Sequence, residues 1–161
     1  MISYFSHSGV FTLQLQQQLF TSIEDAWDFF SNPRNLNVLT PENLKFAITS
    51  PSIPSIYVGQ IITYRIEILK GIRTNWITEI THVVNGHYFV DEQRFGPYKF
   101  WHHEHFFEKN ENGVLMTDRV TYKLPFGIIG KLTNSLFVKK QLFRIFNYRF
   151  LQLNKIFNKT E

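Results

Sequence analysis

From Phe11 to Leu19 apolar and polar residues alternate, Phe11, Leu13 and Leu15 against Thr12, Gln14 and Gln16. This period of two predicts a half-buried β-strand. The pattern then shifts. Thr21 or Ser22 can cap a short helix whose first turn carries Glu24 and Asp25 and whose apolar face is Ile23, Ala26, Trp27 and Phe30. Asn32-Pro33 stops it, and Pro33 to Leu39 predicts a second short helical or turn-rich piece. Residues Gly59–Leu69, Thr74–Val84, His87–Phe95, Tyr98–Lys109 and Val114–Leu124 are rich in β-branched and aromatic residues. They are separated by Lys70-Gly71, Asn85-Gly86, Gly96-Pro97 and Asn110–Gly113. Such short breaks join successive strands into an antiparallel meander.

After Pro125 the period becomes helical. Ile129, Leu132, Leu136, Phe143, Phe146, Phe150, Leu153 and Phe157 recur at steps of three and four. A meander with one apolar face must cover that face, and a terminal helix of about 30 residues, roughly 45 Å long, can lie across it. The expected architecture is therefore α+β, a curved antiparallel sheet wrapped on a long C-terminal helix, with two short helices after the first strand. No repeat, low-complexity tract or linker interrupts residues 1–161, which read as one domain.

Composition sharpens this picture in two ways. Aromatic residues make up 17% of the chain, enough ring surface to line a thick core or a cavity. Cysteine is absent, which excludes disulfides, thiolate nucleophiles and Cys-based zinc sites. The N-terminus lacks a basic segment followed by an apolar run, and no stretch of about 18 apolar residues occurs, so a cytoplasmic, soluble protein is expected. Seven Lys/Arg stand against one Glu from Lys131 onward, whereas residues 1–130 are net acidic. Lys139, Lys140, Arg144, Arg149, Lys155 and Lys159 are spread along the helix and read as a solvated face. Contact of that face with an anionic membrane is the alternative. Nucleic acid is not an expected partner, because the order of elements departs from the βαββαβ pattern of RNA-binding sheets.

Chemistry enters where polar residues fall on an apolar face. Met116, Asp118, Val120, Tyr122 and Leu124 share one face of their strand, so Asp118 needs a partner inside. On the neighbouring strand Trp101, His103, His105 and Phe107 share a face, and either histidine can pair with Asp118. The strand before contributes Phe89, Asp91 and Gln93, the one before that Trp76, Thr78 and Ile80, and another Tyr64, Ile66 and Ile68. Three readings of the patch stay open: a structural network fixing strand register, polar contacts that orient an apolar ligand, and acid/base chemistry by His103 or His105 with Asp118 or Asp91 as orienting carboxylate. A metal is not expected, since alternation puts His102 and Glu104 on the opposite face and leaves two histidines, too few to hold an ion. No other cofactor motif occurs: there is no Gly-rich phosphate loop, no G-x-S-x-G and no H-E-x-x-H.

The segments Leu39-Thr40-Pro41-x-x-Leu44-x-Phe46, Gly59 to Tyr64 and Trp76-x-Thr78-Glu79-Ile80 point to a family, as do Phe89-Val90-Asp91-Glu92-Gln93-x-x-Gly96-Pro97-Tyr98-x-x-Trp101-x-His103-x-His105-x-Phe107, Met116-x-Asp118-x-Val120-x-Tyr122-x-Leu124-Pro125 and Gly127-x-x-Gly130. Over residues 10–157 the chain resembles the START/birch-allergen (SRPBCC) superfamily of helix-grip proteins, and within it the small bacterial ligand-binding or polyketide cyclase/dehydrase-like group. The resemblance implies a cavity between sheet and C-terminal helix that takes a small hydrophobic ligand, lipid-, polyketide- or isoprenoid-like. Tyr64, Trp76, Phe89, Trp101 and Tyr122 are then the expected rings, and Asp91, His103, His105 and Asp118 the expected polar contacts. The enzyme alternative is a cyclase or dehydratase with catalytic candidates His103, His105 and Asp118.

Overall fold

The computed structural model describes residues 2–51, 53–69, 71–127 and 137–158. Strands β1 (Ile2–His7) and β2 (Val10–Leu19) precede helix α1 (Ile23–Phe30), a 3-10 turn over Pro33–Asn35 and the single-turn helix α2 (Leu36–Leu39). Then follow β3 (Ala47–Ile48), β4 (Ile61–Leu69), β5 (Ile72–Val84), β6 (Tyr88–Phe95), β7 (Phe100–Asn110), β8 (Gly113–Lys123) and helix α3 (Lys139–Phe157). The strands form one antiparallel sheet in the order β1-β2-β8-β7-β6-β5-β4-β3. The architecture is the α+β arrangement the sequence predicts, with two additions at the sheet edges, β1 and β3. Ile129, Leu132 and Leu136 of the expected helix, together with Lys70, Gly130, Lys131 and Lys159, lie outside the described residues.

Alternation sets the inner face. Leu13, Leu15, Leu19 on β2 and Met116, Val120, Tyr122 on β8 are fully buried, each large apolar side chain contributing about 1.5–3 kcal/mol by leaving water. Ser22 caps α1, its hydroxyl accepting from the Asp25 N–H at 3.0 Å. Trp27 then meets Phe89 and Phe107 edge-on, and Phe30 packs on Phe107 at 5.1 Å, so α1 closes one end of the inner face. At the same end of β7 and β8 the hairpin returns at Gly113, where a Cβ would run into the backbone oxygens of Leu19 and Thr21.

α3 crosses the same face diagonally, and its polar residues show the path. Gln141 donates to Ile68 O on β4 at 2.7 Å, Arg149 reaches Asp118 on β8, and Phe150 O and Asn154 accept from Gln17 on β2 at 3.0 and 2.9 Å. Asn158 completes the anchor, accepting from the Phe20 N–H and donating to Gln18 O. From β4 to β2 is five strand spacings, about 24 Å, and the 19 residues of α3 span about 28 Å. Helix length and sheet width match. No helix among the described residues is long and apolar enough to cross a membrane.

Candidate functional site

Strand register decides which polar groups meet. Directly opposed residues of antiparallel neighbours share a face, and the pairings are Phe89 with His105, Asp91 with His103, and His105 with Asp118. The register of β6 on β7 runs without a break from Tyr88↔Phe106 to Glu92↔His102, so Gly96-Pro97 does not turn the histidines outward. His103, His105 and Asp118 are buried on the inner face, as expected. His102 and Glu104 are on the other side, where His102 Nδ1 lies 2.8 Å from Glu92 and Glu104 faces Arg119.

The four inner groups form a closed ring. Asp91 Oδ2 lies 3.0 Å from His105 Nε2 and 3.2 Å from His103 Nδ1, while Asp118 Oδ1 lies 2.5 Å from His105 Nδ1 and 3.4 Å from His103 Nε2. The imidazole centroids are 3.8 Å apart, and Phe89 stacks on His105 at 4.1 Å. A fifth member comes from α3: Arg149 Nη1 donates to Asp118 Oδ2 at 2.5 Å. Arg149 was expected on the solvated face and is instead buried. The correction follows from helical spacing, since the buried residues of α3 are Leu142, Phe146, Arg149 and Leu153, at steps of four, three and four.

Charge balance explains how this ring survives burial. Burial opposes ionisation of Asp118, but Arg149, then His105 and His103, outweigh it and hold the carboxyl well below the ordinary range. Burial likewise opposes ionisation of Asp91, which the two histidines overcome, keeping it below its ordinary value. Burial disfavours the charged form of His103, yet Asp91 and Asp118 more than offset this and raise its pKa. Tyr64 is pushed the other way, up, by burial and by Asp91, against the hydrogen bond its hydroxyl shares with Thr78 at 2.7 Å. Burial also raises Tyr98.

Between this ring, the β4–β6 half of the sheet and α3 lies a pocket of about 650 Å³. Its walls are apolar: Ile62, Tyr64, Ile66, Trp76, Ile80, Phe89, Tyr98 and Trp101 from the sheet side, Leu142, Ile145 and Phe146 from α3, and Leu36, Leu44, Phe46 and Ile56 from the connections. Trp76 stands edge-on to Trp101 at 5.2 Å and stacks on Tyr64 at 5.8 Å. Asp91, His103, His105 and Arg149 form the polar end. Of the predicted site residues, Tyr64, Trp76, Phe89, Asp91, Trp101, His103 and His105 line the pocket. Asp118 and Tyr122 are fully buried and do not line it: Asp118 stands behind the histidines, and Tyr122 packs beneath Tyr98 and Trp101.

The sequence reading missed Arg149, Tyr98 and the helix residues of the wall. Arg149 had a signal: it falls in the Leu142-Phe146-Leu153 register opposite an inward Asp. Tyr98 is placed by Gln93, which donates to Tyr98 O at 2.7 Å and accepts from the Tyr98 N–H at 3.2 Å. That clamp depends on a turn whose geometry alternation alone does not describe. Ile56, in the connection before β4, adds to the wall, its N–H bonded to Ser31 O at 2.9 Å.

No protein-family model matches the chain, and no curated protein matches it. Solved structures do. Protein Ms6760 of Mycobacterium smegmatis superposes with a TM-score of 0.66 at 14% identity, over 97% of this chain and 98% of that one. An Arthrobacter aurescens protein gives 0.69 at 11% identity, over 95% and 91%, and protein CV1439 of Chromobacterium violaceum gives 0.67 at 15%, over 92% and 99%. These similarities extend over whole chains and concern the fold: a strand-rich α+β domain with a long C-terminal helix on an antiparallel sheet. None of the three is named for an activity.

Proposed function

We propose that this chain is a helix-grip protein of SRPBCC type whose pocket holds a small, mostly apolar molecule. The observation that carries the reading is the contrast within one pocket: about 650 Å³ walled by rings and aliphatic side chains, with ionisable groups gathered at a single end. Ligand sites are typically 300–1,000 Å³, mainly apolar, with a few convergent polar groups that fix orientation. The ligand's apolar body lies along Ile62, Ile66, Trp76 and Ile145, and its polar end turns toward Asp91, His103, His105 and Arg149.

One observation favours a second reading, acid/base chemistry on such a molecule. His103 and His105 both line the pocket, and each has a carboxylate against its ring, the kind of partner that orients a proton-transferring imidazole. His105→Gln separates the two: a carrier loses affinity for the ligand, an enzyme of the cyclase or dehydratase kind loses turnover.

Native mass spectrometry of the gently purified chain tests the main reading. A discrete organic adduct, lost on denaturation and weakened by filling the pocket with Ile66→Trp, is the expected result. A clean apo mass, together with failure of a fluorescent apolar probe to bind competitively with alkyl ketones or alkanes, overturns it.

A further inference from the structure

The sequence count that argued against a metal considered two inward histidines. The fold brings a third donor to them: Asp91, His103 and His105 present one ligand atom each, all within 4.8 Å of one another. We infer that these three residues form a binding site for a single divalent first-row transition cation.

Two of the separations, those from Asp91 to each histidine, are those of neighbouring ligands on one cation. Metal–ligand bonds of about 2.1 Å place neighbouring ligand atoms about 3.0 Å apart in an octahedron and about 3.4 Å apart in a tetrahedron. Asp91 Oδ2 stands 3.0 Å from His105 Nε2 and 3.2 Å from His103 Nδ1. The donor set, two imidazoles and one carboxylate, suits iron, cobalt, zinc or manganese rather than calcium or magnesium, which take oxygen.

The surroundings match as well. Ligating histidines almost always have a carboxylate, a backbone carbonyl or water at the ring nitrogen away from the metal, and Asp118 Oδ1 lies against both far nitrogens, at 2.5 Å from His105 Nδ1 and 3.4 Å from His103 Nε2. These contacts are close rather than aligned as hydrogen bonds, and a cation at the near nitrogens decides which ring atom keeps its proton. Arg149 neutralises Asp118, so the charge left for the cation is the single one of Asp91. His103 and His105 are almost wholly buried, packed by Phe89, Trp101 and Phe146, which fixes their rings. All three ligands line the pocket, so the remaining coordination positions open onto it. The site is independent of whether the pocket holds an apolar molecule.

The test uses the full, tag-free chain, stripped with chelator and titrated with Co(II), read by native mass spectrometry and visible absorption. One cobalt per chain is expected, with affinity reduced at least about tenfold in Asp91→Asn and His105→Gln and unchanged in His102→Gln on the outer face. X-ray absorption of the cobalt-loaded wild type decides the matter even where a buried variant fails to fold: two imidazoles in the first coordination sphere are expected. No retained cobalt, retention that Asp91→Asn leaves intact, or a shell without imidazole overturns the proposal.

Discussion

Arg149 Nη1 and Asp118 Oδ2 are 2.5 Å apart, and both side chains are buried between α3 and β8. The pair is a charged bolt through the middle of the domain, beside the histidine ring and with Phe146 packed on the guanidinium at 5.3 Å. Removing one partner of such a pair leaves an uncompensated buried charge and costs about 3–5 kcal/mol. Arg149→Met is therefore expected to lower stability by about that much in urea denaturation. Replacing both, Arg149→Met with Asp118→Leu, is expected to cost less than the two single changes together. A single-variant loss under about 1 kcal/mol would mean that water reaches the carboxylate and the bolt is not dry.

A second relationship holds the aromatic wall. A Cβ on Gly96 would collide with the Gln93 side chain, which clamps Tyr98 through both its amide atoms. Tyr98 in turn packs on Trp76 and Trp101 at 5.5 and 4.7 Å. Gly96→Ala is expected to destabilise by about 1–3 kcal/mol, the usual range for overpacking, and to weaken the near-ultraviolet dichroism of the Trp76–Trp101 cluster. Gln93→Ala makes room, so the double variant is expected to cost less than the sum. Strict additivity would show that Gly96 is required for its backbone alone.

The strand meander was legible because period and turn residues agree: each inward position on β7 and β8 is fixed by alternation, and Asn85-Gly86 and Gly96-Pro97 mark the breaks. β1 escaped because Ile2–His7 is an edge strand, half-buried to exposed, with no sustained alternation. β3 escaped because two residues carry no period. The histidine–Asp118 meeting was legible from face parity, but Arg149 was not, because helical charge was read as surface charge before its register with Leu142, Phe146 and Leu153 was applied. Asp91 was placed on the correct face, yet its arrival between both imidazoles depends on the β6–β7 register, which local pattern does not give.

Acid sensitivity has a source away from the pocket. Glu67 on β4 is buried and accepts from the Gly71 N–H at 2.8 Å, with Lys45 Nζ at 3.0 Å and Arg73 nearby. The Gly71 hydrogen bond first, then Lys45 and, more weakly, Arg73, outweigh the burial penalty and hold its pKa below the ordinary value. A depressed carboxylate contributes stability that is present above its unfolded pKa and lost as pH falls through the folded one. Glu67→Gln is thus expected to be less stable than wild type at pH 7, with the gap closing progressively below about pH 4.5. Parallel stability curves in acid titrations of the two proteins would contradict this.

The indole of Trp76 gives the most direct test of what the pocket accepts. Trp76 is buried, its ring forms part of the wall, and its Nε1 donor has no hydrogen-bond partner among the described residues. A buried donor left unsatisfied costs about 1–3 kcal/mol, which an acceptor on the bound molecule would recover. An alkyl ketone such as 2-undecanone is therefore expected to displace an apolar fluorescent probe more readily than n-undecane does. Trp76→Phe keeps an aromatic wall but removes the donor, and is expected to weaken the ketone about tenfold, one hydrogen bond's worth, while leaving the alkane unchanged or tighter. If the ketone and the alkane respond alike to Trp76→Phe, the indole serves only as wall, and orientation of the bound molecule falls to Arg149 and the histidines alone.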